Sequence, residues 1–116
     1  MTLEELRIGN KVLADDGEVL NVYGLVRTTN TNCIVHSAGG LFTYLENIVG
    51  IELTIEMLIN YDFTYHEEKN HEGYWAKDNF ILYEDFDGKF SWDCLVDVIY
   101  LHQLQNCYHD FIGAEL

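Results

Sequence analysis

The stretch that decides the fold of the first half runs Lys11-Val12-Leu13-Ala14-Asp15-Asp16-Gly17-Glu18-Val19-Leu20-Asn21-Val22-Tyr23-Gly24-Leu25-Val26. Two apolar runs of the β type flank an Asp-Gly pair, and glycine adopts the positive φ that a tight turn requires. The pattern therefore predicts a β-hairpin that turns at residues 15–17, with a second strand that extends over residues 18–26.

Further short apolar runs follow at a similar spacing, separated by polar or glycine-containing turns. They are Cys33–His36, Leu41–Leu45 and Asn47–Ile51. Four or five short strands at this spacing are typical of a small, curled barrel. We therefore expect residues 1–53 to form an SH3-like small β-barrel.

Two helices are predicted after this β-rich part. Thr54 is a favourable N-cap for a short helix over residues 55–60. Near the C-terminus the spacing of apolar residues changes to three and four, which is typical of an amphipathic helix. The apolar stripe consists of Leu101, Leu104, Tyr108, Phe111 and Ile112, and Gly113 is placed to end the helix.

A β-hairpin is predicted between the two helices. Its strands span residues 79–85 and 89–93, and Asp87-Gly88 is the turn signal. A two-residue turn would place Tyr83 opposite Trp92. The fold class expected is therefore α+β in a single domain of residues 1–116, with an SH3-like part (1–53) and a helix–hairpin–helix part (54–116).

Charge is the strongest compositional signal. The chain has 20 Asp and Glu against six Lys and Arg, for a formal net charge of −14. Residues 61–116 alone hold twelve acidic residues and three lysines, a net charge of −9. Proteins that grip nucleic acid need clustered Lys and Arg to neutralise phosphates. We expect no direct binding to nucleic acid and an attraction to basic surfaces of other proteins.

The cysteines and the N-terminal sequence indicate a cytoplasmic protein. Cys33, Cys94 and Cys107 are odd in number and distant in sequence, so neither a disulfide framework nor a zinc motif is predicted. Each lies among apolar neighbours and is interpreted as a small buried residue. Residues 1–7 lack the apolar segment of a secretory signal, and no apolar run is long enough to span a membrane.

No metal, cofactor or catalytic site is predicted. His102 and His109 are seven residues apart on the predicted polar side of the last helix, which is too far for two ligands of one metal ion. His66 and His71 belong to a charged loop. The sequence carries no nucleophile, phosphate-binding or zinc-protease motif, and its adjacent acids lie at predicted turns rather than in a cleft.

Aromatic and acidic residues are interleaved in the second half. Thirteen of the sixteen aromatic residues lie within residues 61–116, more than one hairpin and one helix can bury. Exposed aromatic residues serve as anchors in protein interfaces. The predicted partner-binding residues are grouped around the second hairpin: Glu84, Asp85, Phe86, Asp87, Trp92 and Asp93.

Several blocks of the sequence carry a resemblance. They are Glu5-Leu6-Arg7-Ile8-Gly9-Asn10, Leu53-Thr54-x-Glu56-x-Leu58, His102-Gln103-Leu104-Gln105-Asn106-x-Tyr108 and Gly113-x-Glu115-Leu116. The chain resembles a group of small uncharacterised proteins of anaerobic gut bacteria, their prophages and phages. It departs from that group at Asp62, where glycine is expected, and at Ile112, where threonine is expected. The resemblance implies an accessory protein of a mobile element and brings no known activity.

Three functions remain open. The leading hypothesis is a non-enzymatic phage-type inhibitor that binds a host nucleic-acid-handling or defence protein through a basic surface of that protein. An alternative is a sponge that sequesters a small signalling nucleotide, for which Arg7, Lys11 and Arg27 are the only clustered cations. A further alternative is a virion or assembly component.

Overall fold

The chain folds as a mixed α+β protein, which confirms the α+β part of the expected fold. A computed structural model describes residues 1–67, 73–85, 87–92 and 96–116. These residues form two α-helices and eleven strands in three sheets. They divide into two compact units, residues 1–51 and residues 52–116, and each is described by itself.

The first unit consists of two three-stranded antiparallel sheets. Its strands are β1 (Lys11–Ala14), β2 (Val19–Asn21), β3 (Gly24–Arg27), β4 (Asn32–Val35), β5 (Phe42–Tyr44) and β6 (Ile48–Val49), with 3₁₀ turns at Leu3–Glu5 and Leu45–Asn47. The strand orders are β2-β1-β6 and β3-β4-β5. Alternating residues such as Val12, Leu20, Ile34 and Ile48 form the core of this unit.

The first hairpin forms where the sequence predicts it. Gly17 has a φ of +89°, and the Glu18 amide donates to Oδ1 of Asp16 at 2.9 Å. The predicted long second strand is instead divided into β2 and β3, which belong to different sheets. The Val22 amide donates a hydrogen bond to the carbonyl of Asn10, which directly precedes β1. The Tyr23 amide instead donates to the carbonyl of Val35, the last residue of β4 in the other sheet. Residues 1–51 thus form two sheets without a closed barrel.

The second unit is built on a five-stranded antiparallel sheet. Its elements are α1 (Ile55–Asn60), β7 (Thr64–His66), β8 (Tyr74–Lys77), β9 (Phe80–Glu84), β10 (Phe90–Trp92), β11 (Val96–Val98) and α2 (Leu101–Ile112). The strand order is β11-β10-β9-β8-β7, so every strand pairs with its neighbour in the chain. The predicted two-stranded hairpin is therefore only the β9–β10 part of a larger sheet.

Both helices begin where the sequence predicts. The Thr54 hydroxyl accepts a hydrogen bond from the Met57 amide at 3.3 Å. At α2, Oε1 of Gln103 accepts hydrogen bonds from the amides of Ile99 (2.8 Å) and Tyr100 (2.9 Å). Gly113 has a φ of +83° and ends α2, as expected.

The turn between β8 and β9 was not predicted. Asp78 (φ +50°) and Asn79 (φ +69°) both adopt left-handed backbone conformations. Two such residues between paired strands form the kind of turn that matches the strand twist, and short polar side chains tolerate it. Asn79 therefore belongs to a turn, and β9 begins at Phe80.

The register of the β9–β10 hairpin differs from the prediction by one residue. Trp92 pairs with Leu82 rather than with Tyr83. The Asp85 amide bonds the Lys89 carbonyl at 2.9 Å, which leaves three residues rather than two between the paired ends. Since side chains alternate between faces, this shift places Phe80 and Leu82 on the same face as Trp92.

Helix α2 packs against that face. Phe80 and Leu82 are completely buried, as is Leu104 of the helix. The Phe80 ring lies 5.5 Å from the Tyr108 ring and 6.1 Å from the Phe111 ring, with both pairs in edge-to-face geometry. The predicted apolar stripe of the C-terminal helix is therefore largely confirmed, although Phe111 keeps 53% of its surface exposed.

Candidate functional site

The β9–β10 turn carries acids of the predicted partner-binding site, and one of them stabilises the turn itself. Oδ1 of Asp85 accepts hydrogen bonds from the amides of Asp87 and Lys89, both at 2.9 Å. Gly88 follows with a φ of +78°. Asp85 and Asp87 are both exposed. The turn therefore presents two carboxylates to solvent on a backbone held by Asp85.

Glu84 and Trp92, two of the predicted partner-binding residues, each contact an aromatic residue of the sheet. Oε1 of Glu84 accepts a hydrogen bond from the Trp75 indole at 3.0 Å. Trp92 is half-buried, stacked on Phe80 at 5.8 Å with an interplanar angle of 7°. It is thus part of the aromatic core rather than a fully exposed anchor. The other two predicted site residues, Phe86 and Asp93, lie outside the described residues.

A cleft beside the same turn was missed by the sequence analysis. It encloses about 310 Å³, and its walls include Glu52, Leu53, Lys89, Phe90, Asp97 and Val98. The segment before α1 reaches it because the Leu53 amide bonds the Ile99 carbonyl at 2.9 Å, next to a bridge between Glu52 and Tyr100. The only sequence signal was the acidic Asp97 between two valines of an otherwise apolar run.

The cleft brings acids from three chain segments to one end of the second unit. Glu52 precedes α1, Asp97 lies on β11, and Asp85 and Asp87 belong to the turn whose Gly88 and Lys89 also line the cleft. Glu52, Asp97 and both turn aspartates are exposed. The cleft therefore has apolar walls, and most of the charged residues in and next to it are acidic.

Aromatic residues also lie on the opposite face of the sheet. The His66 and Tyr74 rings are stacked at 5.0 Å, and the Tyr74 and Tyr83 rings lie 6.2 Å apart. Tyr74 and Tyr83 are half-buried. Register places these three side chains on the face that does not carry Phe80 and Leu82. The large number of aromatic residues is thus accommodated by two faces of one sheet.

The cations of the alternative site have local partners. Arg27 forms an exposed ion pair with Glu4, and the guanidinium lowers the pKa of that carboxyl. Nη1 of Arg7 donates to the Ile8 carbonyl at 3.2 Å. Lys11 begins β1 and is half-buried. An anion bound by Arg27 would have to compete with the Glu4 carboxylate.

The histidine and cysteine predictions have mixed outcomes. His102 is only 1% exposed and stacks on Tyr100 at 5.7 Å, so its assignment to a polar, solvated face was wrong. Cys33 is buried as expected, and burial raises the pKa of the half-buried Cys107 thiol. Cys94 and His71 lie outside the described residues. Within the described ranges, no three His, Cys, Asp or Glu residues are grouped as metal ligands.

Comparisons of the chain with protein-family models, with curated proteins and with solved structures gave no match. Neither helix in the described parts of the chain is long and apolar enough to cross a membrane. The block from His102 to Tyr108 has clear structural roles in α2. Gln103 accepts the two hydrogen bonds at the helix start, while Leu104 and Tyr108 are buried.

Proposed function

We propose that this chain is a non-enzymatic accessory protein of a phage or prophage that acts in the host cytoplasm. It binds the basic surface of a host protein that handles nucleic acid or acts in defence, and so inhibits it. The observation that carries the proposal is the acidic end of the second unit, where Glu52 and Asp97 line an apolar-walled cleft and the adjoining turn carries Asp85 and Asp87.

Charge supports a basic protein as the partner. The second half carries a net charge of −9, so its field repels nucleic acid and attracts cationic surfaces. Carboxylates held on a turn and a strand edge can occupy the positions that phosphates take on a nucleic-acid-binding site. Complementary charge of this kind raises the rate of association more than it lengthens the life of the complex.

The test starts with an affinity pull-down from host lysate and continues with association kinetics on the partner recovered. Asp85→Asn together with Asp87→Asn removes two charges, while the amide oxygen introduced at position 85 retains the acceptor that holds the turn. We expect association to slow at low salt and the difference to shrink as salt rises toward 0.15 M, where the Debye length is about 8 Å.

The first hairpin supplies a matched control. Asp15→Asn with Asp16→Asn removes the same charge from a turn of similar construction, in which Oδ1 of Asp16 also accepts a backbone amide. This variant should associate at nearly the wild-type rate. Unchanged association of the Asp85 and Asp87 variant at low salt would refute the role of the acidic end.

The two alternative functions have distinct outcomes in the same experiment. A nucleotide released from the purified protein on heating and identified by mass spectrometry would favour the sponge built on Arg7, Lys11 and Arg27. Recovery of phage structural proteins in the pull-down would favour a virion or assembly component. The ion pair between Arg27 and Glu4 makes the sponge the less favoured of these.

For the first unit we propose an SH3-like plan. Strand β1 lies between β2 and β6, and the run from β2 to β3 passes from one sheet to the other at Val22 and Tyr23. Small barrels and orthogonal sheet packings use such a bend to turn a corner. The 3₁₀ turn at Leu45–Asn47 directly before the last strand fits the same plan.

A further inference from the structure

Among the residues that the structure describes, the edge strand of the five-stranded sheet next to the cleft is paired on its outer side only at its C-terminal end. Strand β11 is the outermost strand, and Leu53 pairs with Ile99 just beyond it. Helix α1 begins at Ile55, so the chain leaves the edge before it reaches the position opposite Asp97. In the described part of the chain, the backbone hydrogen bonds across this edge stop at Ile99.

Alternation along β11 determines which backbone groups face outward. The Ile99 carbonyl accepts a hydrogen bond from the Leu53 amide on the side away from β10. Residues two apart in an antiparallel strand direct their N–H and C=O groups to the same side. The N–H and C=O of Asp97 therefore point toward the outer edge of the sheet. Asp97 also lines the cleft, so these groups lie beside it.

The chemistry of the cleft selects a cation with an apolar stem. Phe90, Val98 and Leu53 supply apolar wall, and two of the three ionisable residues that line it among those the structure describes, Glu52 and Asp97, are carboxylates. Arginine combines a hydrocarbon stem with a planar, always charged group that pairs with carboxylates through two parallel hydrogen bonds. Lys89, which also lines the cleft, disfavours a second cation, and the described lining residues together carry a net charge of −1.

We propose that this cleft binds an arginine side chain from an extended, basic segment of the partner protein. This inference rests on the proposed function. The backbone of that segment adds to the open edge at Asp97, and its guanidinium pairs with a carboxylate of the cleft lining. Edge addition supplies the backbone hydrogen bonds, and the cleft supplies the selectivity. The acidic turn then acts mainly in attraction, whereas the cleft holds the partner once it has arrived.

The test is an amide chemical-shift titration of the full chain with the peptide acetyl-Thr-Arg-Thr-amide. Citrulline in place of arginine gives a probe of the same shape without the charge, and lysine gives one with the charge but without the planar group. We expect saturating shifts at Leu53, Phe90, Asp97 and Ile99 with the arginine peptide, and at least tenfold weaker binding of both others.

Variants assign the effect to the cleft. Asp97→Asn and Glu52→Gln should each weaken the arginine peptide severalfold, while Asp110→Asn on α2, which removes an exposed carboxylate outside the cleft, should leave binding unchanged. Absence of saturating shifts up to about 10 mM peptide overturns the inference, since even millimolar binding is visible there. Equal binding of the citrulline or lysine peptide overturns it as well.

The partner from the pull-down separates this inference from the function on which it rests. If the double variant Glu52→Gln with Asp97→Asn dissociates from the partner at the wild-type rate while the Asp85 and Asp87 variant associates slowly, the cleft inference fails and the proposed function stands. If neither variant changes the kinetics, both fail. Faster dissociation of the cleft variant supports the inference.

Discussion

The Tyr108 hydroxyl donates a hydrogen bond of 2.5 Å to Oδ2 of Asp78, which joins the C-terminal helix to the turn between β8 and β9. The strand before that turn contributes a second contact, because Nζ of Lys77 lies 5.5 Å from the centre of the Tyr108 ring. Tyr108 is only 2% exposed. One aromatic side chain thus contacts both an anion and a cation at the same end of the sheet.

Removal of this hydroxyl should destabilise the protein. In Tyr108→Phe the ring contacts with Phe80 and Phe63 remain, but the hydrogen bond to Asp78 is lost. We expect the free energy of unfolding in urea to fall by about 1–2 kcal/mol. Tyr23→Phe, at a tyrosine that is 56% exposed, should change it by less than about 0.5 kcal/mol. Equal losses in the two variants would contradict this role.

The same hydroxyl should make stability sensitive to alkaline pH. Burial, and then the hydrogen bond to Asp78, raises the pKa of Tyr108 to about 12 from an ordinary value of 10.0. Because the folded pKa exceeds the unfolded pKa, the contribution is complete below pH 10 and is lost as pH rises to about 12. Stability measured from pH 8 upward should therefore decline more in the wild type than in Tyr108→Phe. Parallel curves would show that another group causes the decline.

A side chain at position 73 should displace the ring of Tyr65. A Cβ atom at position 73 would lie 1.9 Å from the Tyr65 hydroxyl oxygen and 2.2 Å from its Cζ. The Tyr65 ring would have to leave its contact with Trp75, where the rings are 5.1 Å apart. We expect Gly73→Ala to cost about 1 kcal/mol, the scale of one aromatic pair.

A double-mutant cycle tests this cause. In the Tyr65→Ala background the ring is absent, so Gly73→Ala should cost much less than it does in the wild type. Thermal unfolding of the four proteins gives the coupling. A Gly73→Ala cost that persists without Tyr65 would indicate that the glycine is required for its backbone conformation instead.

Gln103 should be essential for the start of α2. Its Oε1 accepts the amides of both Ile99 and Tyr100. Gln103→Ala leaves these donors without that acceptor and should cost about 1–2 kcal/mol. Gln103→Glu keeps the acceptor and adds a negative charge near the positive end of the helix, so it should be close to neutral. Helicity followed by circular dichroism during urea unfolding distinguishes the two variants.

Replacement of Asp62 by glycine should relieve an unfavourable backbone conformation. Its φ of +68° lies in the left-handed region, which glycine adopts without steric cost. Asp62→Gly should be neutral or stabilising by up to about 1 kcal/mol, whereas Asp62→Val should be destabilising because a β-branched residue is strained at this φ. The midpoints of thermal unfolding provide the comparison. A stable valine variant would contradict the steric argument.

Local signals explain why some elements could be predicted from the sequence. Thr54, Gly113 and the Asp16-Gly17 pair act through backbone groups within a few residues, and each does what its residue type predicts. Strands β7 and β8 were missed because they are only three and four residues long and each is followed directly by an acidic residue. Their place depends on pairing with β9, which a local pattern does not reveal.

The candidate site could be predicted only in part, for a similar reason. The acidic turn follows from Asp87-Gly88 and its neighbours, but its register depended on hydrogen bonds accepted by the Asp85 carboxylate. The cleft combines residues as distant as Glu52 and Asp97, which line it together because the segment before α1 pairs with the chain just after β11. Its existence follows from tertiary pairing rather than from a motif.

The order of strands in the second unit has a consequence for how the protein reaches its folded state. Because each strand from β7 to β11 pairs with its neighbour in the chain, contacts in this sheet close short loops, which favours rapid folding. The first unit instead pairs β1 with β6, which are separated by more than thirty residues. On ribosomal synthesis the N-terminal unit emerges first, yet within its sheets it has a longer loop to close than any strand pair of the five-stranded sheet. Strand β1 therefore lacks its second partner until β6 has been synthesised, and the strongly acidic composition of the chain opposes association with other copies during that interval.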